Sequence, residues 1–132
     1  MDLVTLKIRI HEQCMRIALE KMQSLTDEIE AIQWSANQES KSSAGDKYET
    51  GRSILMLEKE KLTEQLMGVG KLKKALDLID VNKRAVSAEL GALIQSSSQY
   101  YYLSANFGLL TIDGHDVFAL SALSPIGQAM LG

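Results

Sequence analysis

Cysteine, proline and aromatic residues are scarce in this 132-residue chain: one Cys, one Pro, and one Trp, four Tyr and two Phe. A lone Cys14 excludes an internal disulfide, and no paired-cysteine motif of a structural zinc site is present. Basic excess is absent too. A net charge of -3 and a pI near 5.4 argue against independent DNA binding, which needs a face that neutralises phosphates, and point to protein partners. No apolar run approaches the ~20 residues that span a bilayer, and Lys7, Arg9 and Glu12 interrupt the N-terminal apolar residues where a secretory leader would be continuous. The expectation is a soluble cytoplasmic protein with no membrane association. Nor is there a phosphate-cradling Gly-rich loop or a Ser/His/Asp set that can be placed together, so the chain is not expected to be an enzyme by itself.

The composition that remains, 45% hydrophobic and 23% charged with charges concentrated early, suits long helices. From Met1 to about Gln38 apolar residues recur at heptad spacing. Met1, Ile8, Met15, Met22 and Ile29 form one series, and Val4, Ala18, Leu25 and Ile32 a second, with His11 its polar member. A polar stretch, Asn37 to Gly45, ends the pattern. A second helix is expected from about Asp46 to Ile79, with Tyr48, Leu55, Leu62, Val69 and Leu76 seven apart. So short a connection predicts an antiparallel coiled-coil hairpin over residues 1–80, its arms ~45–50 Å long, with an acidic tip at 42–52.

The tip reads SSAGDKYETGR and carries Asp46 and Glu49 three residues apart. Two readings of that spacing stand side by side. In the first it is a capping box, each side chain satisfying a backbone N–H at a helix start, worth roughly 1 kcal/mol and implying no function. In the second, two hard oxygen ligands supply part of the coordination of Mg²⁺. The ion would need further ligands from a partner, as in two-metal phosphodiester chemistry.

Composition changes after Glu89, beyond which only Asp113 and Asp116 are charged. Residues 81–132 are expected to form a small β domain. Its strand-like runs are GALIQS from Gly91, YYYLSANF from Tyr100, and LLTI and DVFALSA on either side of Asp113-Gly114, a strong hairpin signal. Ser124-Pro125 places an N-cap and first-turn proline before a short helix, IGQAML. His11 with Cys14 lacks a second pair of metal ligands nearby, and His115, beside a tight turn, reads as exposed.

Two heptad arms joined at Gly45-Asp46-x-x-Glu49, followed by a β-rich part containing SPIGQAMLG (Ser124 to Gly132), resemble the Gre-type transcript-cleavage factors of bacterial RNA polymerase, and most of all a Gre-related branch of Bacteroidetes-like bacteria. The resemblance implies an α+β protein whose hairpin enters the polymerase's secondary channel. There Asp46 and Glu49 would help hold a second Mg²⁺ shared with the polymerase and a water that cleaves backtracked RNA. It implies a β domain that is FKBP-like and antiparallel, docking on the polymerase through its sheet and Ser124, Pro125, Ile126 and Gly127. Tyr48 and Arg52 would lie near the RNA 3′ end or the polymerase, although for Tyr48 packing is the favoured reading because it continues the heptad series. The chain departs from the family pattern in the shortened run between Glu49 and Arg52. It also stops at Leu131-Gly132, so a sheet without its closing strands and some self-association of an otherwise monomeric factor are expected. A secondary-channel regulator that inhibits or modulates the polymerase, and a coiled-coil adaptor with no polymerase role, are the alternatives.

Overall fold

The structure, a computed structural model, describes residues 2–41, 46–97 and 99–131, with residues 40, 41 and 46–49 described by their backbone only. Its elements in order are helix α1 (Leu3–Lys41), helix α2 (Asp46–Asp77), strands β1 (Leu93–Gln95), β2 (Tyr100–Leu103), β3 (Gly108–Ile112) and β4 (His115–Leu120), and helix α3 (Pro125–Met130). The protein is thus α+β: two long helices, then a small sheet. No helix among the described residues is long and apolar enough to cross a membrane.

Two compact units form, residues 19–71 and residues 1–18 with 72–132. In the first, α1 and α2 run in opposite directions. Arg52 Nη1 donates to the Ala36 carbonyl at 3.0 Å and Lys59 Nζ to Gln33 Oε1 at 2.7 Å, so positions rise along α2 as they fall along α1. Leu25, Ala36 and Val69 are buried, and Leu55, Leu62 and Leu66 are half-buried, as their heptad spacing predicts. The polar stretch from Asn37 does not end the first helix, which continues through Lys41. Asn, Gln and Ser disfavour helix only weakly. Packing of Ala36, and the bond from Gln33 Nε2 to Asn37 Oδ1 at 3.0 Å, hold the last turns helical.

The second unit shows a different helix face. Asp2 caps α1, its carboxylate accepting from the Thr5 N–H at 2.7 Å. The buried residues are then Leu6, Ile10, Cys14 and Ala18, four apart, while Val4 is exposed and Ile8 and Met15 only half-buried. Four-residue spacing makes a stripe that suits packing on a sheet, whereas the heptad seam suits a second helix. Lys7 is also buried there, its ammonium donating to the Lys83 carbonyl at 3.0 Å. Burial pushes its pKa down, with the Asp80 and Glu89 carboxylates opposing that shift.

The sheet has the order β1-β2-β4-β3. It is mixed, which corrects the expectation of an antiparallel domain: β1 with β2 and β3 with β4 are antiparallel, but β2 and β4 are parallel, with Tyr102 beside Ala119. The chain leaves β2 through Ser104, crosses to the outer edge, and returns as β4 into the gap. Ser104 N–H donates to the Leu120 carbonyl at 2.8 Å and Phe107 N–H to that of Ala119 at 3.1 Å along this path. The Asp113-Gly114 hairpin forms as expected, with φ of 50° and 82° that glycine takes freely and aspartate tolerates. One side of the sheet buries Tyr102, Val117 and Ala119, and on the other Ala92, Leu103 and Leu120 cluster under Ala85, Ala88 and Met130.

Candidate functional site

Asp46 is the first residue of α2, which places Asp46 and Glu49 in that helix's first turn. Unpaired N–H groups and the positive end of the helix dipole favour carboxylates there. The side chains of Asp46, Tyr48 and Glu49 lie outside the described residues, as do Ser42 to Gly45.

Arg52, one turn further on, is half-buried, and its guanidinium reaches across to the Ala36 carbonyl. The two helices approach closely beside it: a Cβ on Gly51 would lie 3.1 Å from Glu39 Oε2. Glu39, Gly51, Arg52 and Ala36 therefore form a polar junction between the arms, followed by the Gln33–Lys59 bond. Glu39 did not stand out in the sequence. Its only signal was the opposition of residues on the two arms whose numbers sum to about 90, which becomes useful once the turn is located.

The other expected contact region, Ser124 to Gly127, separates into structural and exposed parts. Ser124 is the N-cap of α3: its Oγ accepts from the Gly127 N–H at 3.0 Å and its hydroxyl donates to the Ser121 carbonyl at 2.7 Å. Pro125 opens the helix, where its missing N–H costs nothing. Gly127 is buried so close to the preceding turn that a Cβ would stand 2.1 Å from the Ser121 carbonyl oxygen. Ile126 is 59% exposed, and Leu123, three residues earlier, is 83% exposed.

The histidines and the cysteine have structural surroundings. His11 Nδ1 lies 2.8 Å from the Tyr102 hydroxyl, and His115 meets Tyr100 edge-to-face with centroids 5.5 Å apart. Cys14 is fully buried, and burial pushes its thiol up to about 12, which keeps it protonated and unreactive. Among the described residues no group of three or more His, Cys, Asp or Glu side chains could hold a metal ion. Comparison of the chain with protein-family models, characterised proteins and solved structures finds no match.

Proposed function

We propose that this chain is an accessory factor of bacterial RNA polymerase, a Gre-type protein that enters the secondary channel and stimulates Mg²⁺-dependent cleavage of backtracked RNA. The observation that carries this reading is the position of Asp46 and Glu49 in the first turn of the second of two long opposed helices, ahead of a small sheet and a Ser-Pro-capped helix. In this reading Asp46 and Glu49 complete a metal site whose remaining ligands belong to the polymerase and the RNA, because two carboxylates alone leave most of an octahedral Mg²⁺ shell to water. The factor performs no reaction alone. The helices form a coiled-coil hairpin, and the sheet belongs to an FKBP-like domain docking through Ile126 and its surroundings. Arg52 serves the hairpin through the Ala36 carbonyl, and any contact with the RNA 3′ end would be additional.

The test is RNA cleavage in a stalled, backtracked elongation complex with Mg²⁺, with and without the protein. Faster release of short 3′ fragments is the expected result. Binding without cleavage would leave a secondary-channel regulator, and absence of binding would leave a coiled-coil adaptor whose Asp46 and Glu49 cap a helix.

A further inference from the structure

β3 is a terminal strand of the sheet, and among the described residues no strand pairs with its outer edge. Edge strands are commonly blunted by charge, proline, brevity or a covering segment. The opposite edge, β1, is only three residues long. By contrast β3 reads GLLTI, five residues with neither charge nor proline. Beside its C-terminal end a cavity of about 540 Å³ opens between α1 and Thr111 to Asp113, leaving room at this edge.

The hairpin register defines which groups the edge offers. Ile112 pairs with His115 across a two-residue turn, and bonded pairs alternate along an antiparallel ladder. Ile112, Leu110 and Gly108 therefore turn their backbone groups toward β4, and Leu109 and Thr111 turn theirs outward. We propose that β3 is a self-pairing edge: a second copy of this chain adds its own β3 antiparallel about a two-fold axis at Leu110.

With the axis there, Leu109 of each copy faces Thr111 of the other, both in outward-facing positions, so every outward N–H meets a C=O. A pairing shifted by one residue would oppose outward positions to inward ones and lose this match. Charge permits the arrangement. Asp113 of the two copies would lie at opposite ends of the new ladder, and each is already paired with its own Arg9 at 2.9 Å. Asp116 accepts from the Thr111 hydroxyl at 3.0 Å. The exposed face supplies an apolar reason for association: Leu109, Phe118 and Tyr101 are successive cross-strand neighbours, with the Tyr101 and Phe118 rings stacked 6.1 Å apart. Leu109 is 54% and Phe118 39% exposed, and pairing brings two such rows together, a Leu109 from each copy flanking the axis. The closed two-fold uses up β3 in both copies and stops at a dimer. One short strand pair is a small interface, so the dimer is expected to be weak and reversible.

Sedimentation equilibrium of the full chain over increasing concentration tests this inference independently of any role with polymerase. A reversible monomer–dimer equilibrium is expected, and Leu109→Lys, with unchanged circular dichroism, should weaken it at least tenfold. Leu110→Cys should form a covalent dimer on mild oxidation, because directly opposed non-bonded residues place Cβ atoms about 4.5–5.5 Å apart, near the reach of a disulfide. Phe118→Cys should not. A chain that stays monomeric at all concentrations, or a dimer indifferent to Leu109→Lys, overturns the proposal. Should Leu110→Cys fail to fold, the wild-type and Leu109→Lys comparison decides alone.

Discussion

His11 and Tyr102, 91 positions apart, are joined by a 2.8 Å hydrogen bond between imidazole Nδ1 and the phenol, with their rings edge-to-face at 6.1 Å. The contact ties the first helix to a central strand. Burial pushes the Tyr102 hydroxyl's pKa up, with Cys14 adding to the effect, so the phenol stays protonated. The bond gives the buried phenol and the half-buried imidazole each a partner. Tyr102→Phe removes the hydroxyl and is expected to cost about 1 kcal/mol in denaturant unfolding, more if the imidazole is left without a partner.

The same contact makes stability depend on pH. Burial holds the His11 pKa below its ordinary value; Asp77 and Glu12 oppose the shift and Lys7 adds to it. The unfolded chain therefore takes up a proton before the folded one. This contribution is complete above about pH 6.5, the unfolded value, and is lost as pH falls below it, levelling off beneath the folded pKa. Unfolding curves at about pH 7.5 and pH 5 should differ more for the wild type than for His11→Gln. Equal differences would remove His11 as the cause.

Gly127 is expected to tolerate no side chain. A methyl group there meets the Ser121 carbonyl at 2.1 Å and Ala122 Cα at 2.9 Å, both backbone, so the turn itself must move. Gly127→Ala should cost about 1–3 kcal/mol, the range for overpacking a tight site. Ser124→Ala, which removes the N-cap bond, should cost about 1 kcal/mol. Thermal melts of the two variants check the order. A milder effect for Gly127→Ala would mean that α3 shifts freely.

Asp46→Asn with Glu49→Gln keeps polar groups at the helix start while removing both charges. Under the proposed function it should lower stimulated RNA cleavage by about tenfold or more, equivalent to at least 1.4 kcal/mol, with polymerase binding retained. Unchanged cleavage would return the two acids to a capping role.

Arg52→Ala removes the bond to the Ala36 carbonyl and should loosen the junction beside Glu39 and Gly51. A loss of about 1–2 kcal/mol is expected for a charged donor to a carbonyl at a half-buried site. Hydrogen exchange of residues 33–38 reads it locally, and protection equal to wild type would show that the bond contributes nothing.

Much of the local structure was legible in the sequence because the interactions that decide it are local. The spacing of Leu55, Leu62, Val69 and Leu76 put them on the inner face of α2, Asp113-Gly114 made the hairpin turn, and Ser124-Pro125 started α3. Each depends on residues a few positions apart, whose conformational preferences act before any tertiary contact exists. The candidate tip, Asp46 and Glu49, was legible as a motif at a helix start, and its position in the first turn of α2 agrees.

Tertiary structure alone decided the rest. The heptad series beginning at Met1 contained Ala18 but did not reveal that α1 also buries Leu6 and Cys14 while Val4 stays exposed, because periodicity reports an apolar face and not the surface that will cover it. The parallel pairing of β2 with β4, the Arg52–Ala36 bond and the His11–Tyr102 contact join residues from 16 to 91 positions apart. No local preference encodes such pairs. They arise when the folded chain must bury apolar faces while leaving few buried polar groups without a partner, a condition that depends on the whole arrangement at once.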